Sequence, residues 1–177
     1  EAGVLQDGAY YVFAGSGFPG PDEARVPQGI FRYVPGEGKE QLVSYQAHRM
    51  DVLFSCWGVN THSLYYVDID TNALWRQDLT TGEETLLYTA PGPEEPEAEL
   101  GVGDLWNYFA HGEELELTYD VALFLNQVGE DTVTLTYRYP DGKTTDTVVL
   151  DSRTGALLSQ TAQRENGYPL WLGERCI

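Results

Sequence analysis

The sequence predicts an all-β protein assembled from antiparallel, four-stranded meanders. Three observations lead there. Runs rich in Tyr, Val, Leu, Thr and Trp alternate apolar with polar residues at a period of two, and stretches with helical periodicity are nearly absent. Each run is bounded by Gly, Pro, Asn or Asp, which supply the positive or pre-set φ of tight turns. Finally, the same order of strand and turn residues recurs along the chain.

Strands are expected at Ala9-Phe13, Ile30-Val34, Gln41-Tyr45, Val52-Trp57, Leu64-Ile69, Leu74-Leu79 and Thr85-Thr89. After a gap they resume at Leu115-Tyr119, Val121-Leu125, Thr132-Tyr139, Thr145-Asp151 and Ala156-Gln160. The turns between them are chemically explicit: Pro35-Gly36-Glu37-Gly38, Asp70-Thr71-Asn72, Thr81-Gly82, Pro140-Asp141-Gly142 and Thr154-Gly155.

The recurrence organises these strands. Asp51-Val52-Leu53-Phe54 and Leu64-Tyr65-Tyr66-Val67 align, 69 residues on, with Asp120-Val121-Ala122-Leu123 and Val133-Thr134-Leu135-Thr136. Asp78-Leu79-Thr80-Thr81-Gly82 then meets Asp151-Ser152-Arg153-Thr154-Gly155, and each is followed by a Leu-Leu pair, Leu86-Leu87 and Leu157-Leu158. A fainter copy runs through Ala9-Tyr10-Tyr11-Val12, Ile30-Phe31-Arg32-Tyr33 and Leu42-Val43. Three units result, residues 7-45, 51-90 and 120-160, each of about 40 residues, the length of a propeller blade. The predicted architecture is therefore β-propeller-like, with an irregular β-sandwich of the same meanders as the alternative. Four to eight blades are usual, so closing the sheet edges calls for divergent strands, a larger ring or a homo-oligomer sharing blades.

Tyr65 to Asp68 followed by the Leu74-Trp75-Arg76-Gln77-Asp78-Leu79-Thr80-Thr81-Gly82-Glu83 segment resembles bacterial β-propeller repeats of the TolB-like kind. The likeness covers the middle unit well and the others loosely. It implies a noncatalytic interaction module outside the cytoplasm, secreted or anchored at the cell surface, with a protein or glycan as partner; a carbohydrate-binding or glycan-processing domain is the alternative.

The domain organisation expected is two meander repeats over 1-90, an acidic Pro/Glu linker with an aromatic insertion over 91-119, and a third repeat with a C-terminal strand over 120-177. The linker, Pro91-Gly92-Pro93-Glu94-Glu95-Pro96-Glu97, cannot pair as a central strand. The insertion, Gly103-Asp104-Leu105-Trp106-Asn107-Tyr108-Phe109, has no counterpart between the first two units.

Composition narrows function mainly by exclusion. At 177 residues and 42% hydrophobic the chain can bury a core without metal or disulfide support, and disorder is excluded as its main description. Ten Lys+Arg against 28 Asp+Glu give a net charge of -18, which repels nucleic acid and anionic membranes; it reads first as a solvated surface that maintains solubility, and in a sharper version as steering toward basic partners. No stretch is long and apolar enough for a spanning helix. The opening Glu1-Ala2-Gly3 reads as a mature or trimmed start, with any export signal already removed.

Each chemical motif has a plainer reading beside it. Gly15-Ser16-Gly17-Phe18-Pro19-Gly20 has the spacing of a dinucleotide-binding turn, but Pro19, Pro21, Asp22 and Glu23 continue it as an extended acidic loop where that motif needs a helix. No cofactor is expected. Asp68, Asp70 and Asn72 begin like a calcium loop, yet Ala73 and Leu79 stand where Gly and Glu are needed, so a hairpin turn is expected. His48, His62 and His111 show no metal-ligand spacing with the cysteines, and no metal site is expected. Cys56 and Cys176 are compatible with one disulfide or with two unrelated buried thiols. Neither a nucleophile elbow nor an activated Cys is present, and carboxylates are too abundant to mark a catalytic pair. Rings such as Trp57 and Trp171 are read as core. Phe18, Trp106 and Tyr108, lying in loops, are the candidate binding residues, for a glycan or a protein surface.

Overall fold

A computed structural model describes residues 3–14, 28–50, 56–91, 123–139, 144–164, 171–172 and 175–176. Among the described residues there is no helix. Strands β1 (Gly3–Gln6), β2 (Ala9–Ala14), β3 (Gly29–Val34) and β4 (Gly38–Ser44) form a first sheet. A second comprises β5 (Trp57–Val59), β6 (Ser63–Asp68), β7 (Ala73–Asp78) and β8 (Glu84–Thr89). A third comprises β9 (Leu123–Val128), β10 (Thr132–Arg138), β11 (Thr144–Asp151) and β12 (Leu157–Arg164). In all three, strands lie in chain order and pair antiparallel, and none of the sheets is closed. A short ribbon of β13 (Trp171–Leu172) and β14 (Arg175–Cys176) completes the described chain. Open four-stranded meanders of this kind suit a propeller-like or a sandwich architecture.

The recurrence read from the sequence is carried down to individual hydrogen bonds. Asn60 N donates to Ser63 O at 3.0 Å in the β5-β6 turn, and 69 residues later Gly129 N donates to Thr132 O at 2.8 Å in the β9-β10 turn. The Asp-x-x-Thr-Gly turns match as well. Asp78 Oδ1 accepts from Thr80 N and Thr81 N, both at 2.8 Å, while Asp151 Oδ1 accepts from Arg153 N at 3.0 Å and Thr154 N at 2.8 Å. These side chains cap their own turns, as Asp does when it accepts from amides two or three residues on. Each turn ends on a glycine at positive φ, 74° at Gly82 and 72° at Gly155.

Sheet edges differ from the sequence reading in instructive ways. Strand β1 was not expected; it pairs with β2 across Asp7-Gly8, whose φ values of 48° and 77° are those of the Asp-Gly hairpin turn that matches strand twist. Strand β5 runs past Trp57, the expected end of the Val52-Trp57 strand, through Gly58 to Val59, while residues 52–55 of that expected strand lie outside the described residues. Gly58 is no turn residue: a Cβ there would meet Val128 Cγ2 at 2.7 Å, so it lets β5 approach β9. Strand β9 likewise runs on to Val128, past the Leu125 expected as its end, with Asn126 exposed. The expected strand Leu115-Tyr119 and the turn Pro140-Asp141-Gly142 lie outside the described residues.

One hydrophobic cluster joins the sheets, with Tyr11, Ile30 and Val43 from the first, Leu64, Tyr66 and Leu74 from the second, and Leu123, Leu135 and Leu150 from the third. Burying each such side chain contributes about 1.5–3 kcal/mol. The second sheet lies between the others, and the strand alternation decides which residue faces which neighbour. On one side Gln77 Nε2 donates to Leu42 O at 3.0 Å in the first sheet. On the other, Tyr65 Oη donates to Ser152 O at 3.0 Å, and Arg76 donates to Arg153 O in the third. At the turns, Asn60 Nδ2 donates to Gly129 O at 2.9 Å, and Glu130 Oε1 accepts from Thr61 Oγ1 at 2.7 Å. Residues at matching places in successive repeats thus touch each other.

Candidate functional site

Phe18, Trp106 and Tyr108, the ring residues expected to bind, lie outside the described residues, as does the Gly15-Gly20 motif. Cys56 is buried immediately before β5, where its carbonyl accepts from Val67 N at 2.7 Å. Cys176 is placed by its backbone on β14, paired with Trp171. Its side chain is outside the described residues, so the choice between one disulfide and two separate thiols falls there too. Trp57 packs against the hydrophobic cluster. Asp68, Asp70 and Asn72 form the β6-β7 hairpin turn, with Asn72 at a φ of 47° and Asp68 Oδ1 accepting from Asp70 N at 3.0 Å.

Around that turn the fold assembles a cluster of polar and aromatic groups. After β4 the chain turns through Ala47 and His48, whose amides both reach Ser44 O. Ile69 N then donates to Arg49 O at 2.8 Å, holding the connector against the hairpin. Period-two alternation places Tyr66 and Asp68 on one face of β6, and the register sets Trp75 beside Tyr66 and Leu86 beside Trp75, with Glu84 two residues before Leu86. His48 lands on this face. Its Nδ1 lies 3.1 Å from Asp68 Oδ2 and its Nε2 3.7 Å from Glu84 Oε2. Its ring sits 5.0 Å from that of Tyr66 and 4.9 Å from that of Trp75, tilted to both.

The chemistry of this cluster is that of a clamp. Both His48 nitrogens point at carboxylates from opposite edges of the ring, so the three groups cannot converge on a single metal ion. Tyr66 Oη donates to Glu84 Oε1 at 2.7 Å. Burial, then the bond and charge of Glu84, push the Tyr66 phenol well above its ordinary range, so it remains a donor. Arg49 Nη1 reaches Asp70 Oδ1 at 3.2 Å and adds a second tie from connector to hairpin. Neither His48 nitrogen is left facing a hydroxyl or thiol that it could activate.

The surface with binding character is elsewhere, on the first sheet. Leu5 pairs with Tyr10, and Tyr10 with Tyr33, so the three stand in a row across β1, β2 and β3 on one face. They are exposed to 73%, 41% and 46%. This face is opposite to Tyr11 and Ile30, which enter the hydrophobic cluster. Lys39, paired with Tyr33, lays its Nζ 3.9 Å over the Phe31 ring and borders the row with a positive charge.

Sequence reasoning missed both features. The row depends on β1 and on the pairing register, although Asp7-Gly8 was a hairpin signal that would have supplied them. The His48 clamp is drawn from a connector and two non-adjacent strands, and no local motif announces it. No protein-family model matches the chain, and no curated protein is significantly similar to it.

Proposed function

We propose that this chain is a noncatalytic binding module of propeller-like repeats that acts outside the cytoplasm, secreted or held at the cell surface. The observation that carries the reading is the Leu5-Tyr10-Tyr33 row. An aligned apolar and aromatic strip on an open sheet face is the kind of surface that anchors partners, and Tyr in particular supplies contact area at low entropic cost. The net charge of -18 favours a basic protein and speeds its approach. The TolB-like resemblance of Tyr65 to Glu83 supports the location. A glycan is the second reading, favoured by the two neighbouring exposed tyrosine rings, on which sugar faces could stack.

The test is biolayer interferometry of wild type and a Tyr10→Ser/Tyr33→Ser variant against basic cell-envelope proteins and a polysaccharide panel, at about 50 and about 300 mM salt. Binding that the variant loses supports the module; loss with added salt indicates a basic protein, and insensitivity to salt a glycan. A folded variant that binds as wild type does would overturn the proposal.

A further inference from the structure

The second and third sheets meet around a buried carboxylate that the features above do not use. Asp146, on β11, is 4% exposed. Its Oδ2 accepts from Tyr139 Oη at 2.9 Å and from Gln160 Nε2. Its Oδ1 is buried and has no hydrogen-bond partner. An unpaired buried carboxylate oxygen is costly, since desolvation is not compensated, and so it marks a place where a donor belongs. Tyr137, on β10, lies beside Asp146 in register, and its ring meets that of Tyr139 edge-on with centroids 4.8 Å apart. Tyr88 of β8, in the second sheet, is close enough to feel the Asp146 charge.

We propose that Asp146, framed by Tyr88, Tyr137 and Tyr139, receives a monoalkylammonium group, either a free amine or the side chain of a lysine on a protein partner. The donor inventory selects this class. Oδ2 already carries two bonds, so a single carboxylate oxygen is open, which matches a point donor and not the two-pronged fork of a guanidinium. A divalent metal would want several anionic ligands, and among the described residues no three His, Cys, Asp or Glu side chains gather to hold one. Tyrosine faces beside a carboxylate suit an organic cation. The phenols do not compete: burial and then the Asp146 charge raise Tyr88 and Tyr137, and the bond to Asp146 raises Tyr139, so all three stay protonated. Gln160 is exposed, and its bond to Oδ2 stays in place while Oδ1 takes the ligand.

The lysine form of this inference rests on the binding-module reading. Its test uses n-butylammonium chloride as probe, followed by NMR of the Asp146 carboxylate and the Gln160 amide, with potassium chloride matching the ionic strength. Saturable shifts with butylammonium alone are expected, weakened about tenfold or more in Asp146→Asn, which removes the charge from the bond. Gln160→Ala should bind at least as tightly as wild type because the ligand is received by Oδ1 and the Gln160 amide bonds only Oδ2; this keeps the idea testable should Asp146→Asn misfold. A tetralysine peptide binding more tightly than butylammonium would assign the site to a lysine partner, and the reverse order to a free amine. No saturable shift up to about 100 mM, equal binding by folded Asp146→Asn, or weaker binding by Gln160→Ala would overturn the site. Tyr10- and Tyr33-dependent partner binding surviving any of those results would leave the module reading intact.

Discussion

Two glycines in matching turns offer a controlled measurement of how closely the second and third sheets approach. Gly82 and Gly155 have nearly the same φ, 74° and 72°, and the same bond back to the carbonyl of the turn's aspartate. They differ in what surrounds them. A Cβ on Gly82 meets nothing within 4 Å, whereas one on Gly155 would lie 2.6 Å from Leu87 O, a backbone atom of the neighbouring sheet. Gly82→Ala therefore incurs only the left-handed conformation, about 1 kcal/mol. Gly155→Ala incurs that and the overpacking of two backbones, about 1–3 kcal/mol more, or about 2–4 kcal/mol in all. Truncating Leu87 would not relieve it, because the nearest atom is its carbonyl oxygen.

For a chain of this length the difference corresponds to melting temperatures lowered by about 3 °C in Gly82→Ala and about 6–12 °C in Gly155→Ala. Thermal and urea unfolding followed by circular dichroism and tryptophan fluorescence give both values. Equal losses in the two variants would refute the reasoning, since they would mean that Gly155 has as much room as Gly82 and that the sheets do not meet there.

Tyr65→Phe should cost about 1–2 kcal/mol in urea unfolding, because the buried Ser152 carbonyl loses its donor at 3.0 Å and Asn60 Nδ2 its acceptor at 3.3 Å. Asp78 and Asp151 are held below the usual carboxylate range chiefly by the amides of Thr81 and Thr154. Lowered carboxylates contribute stability that is complete above their unfolded value of 3.8 and is lost as pH falls further, so unfolding midpoints should drop below about pH 4, less steeply in Asp78→Asn/Asp151→Asn. Tyr66, Tyr88, Tyr137 and Tyr139 are raised above 10.0, so folded protein should show a muted phenolate absorbance on alkaline titration, and stability should fall as pH climbs past 10. Removing the clamp with His48→Ala should increase proteolytic cleavage of the connector around residues 45–50 while the sheets keep their circular dichroism, a difference that mass spectrometry of the fragments detects.

What was legible in the sequence was whatever acts over a few residues. The period-two runs located most strands, and Asp78-Gly82 beside Asp151-Gly155 revealed turns that form the same bonds. The offset of 69 was legible too, but its physical meaning, Asn60 bonding to Gly129, was not, since contact between repeats is decided by how sheets dock. Strand ends slipped where a residue serves packing instead of local conformation. Gly58, just beyond the expected strand end at Trp57, lies within β5 as a spacer against Val128. The clamp was illegible for a related reason: His48, Asp68 and Glu84 belong to segments with no shared pattern, and only the β6-β7-β8 register brings them together. Asp146 was one carboxylate among many until its burial set it apart.

Because every described strand ladder joins neighbours in the chain, each sheet can knit its backbone before any other sheet exists, across short turns except for the connection of residues 15–28 between β2 and β3. Docking is then the slow event, and on a ribosome it is also a late one. Among the described residues, the face bearing Tyr65 and Arg76 finds its partners in Ser152 and Arg153, so the middle repeat spends part of its birth without those contacts. Surfaces in that condition attract chaperones or one another, and the hydroxyl of Tyr65 and the guanidinium of Arg76 keep that temporary face from being wholly greasy.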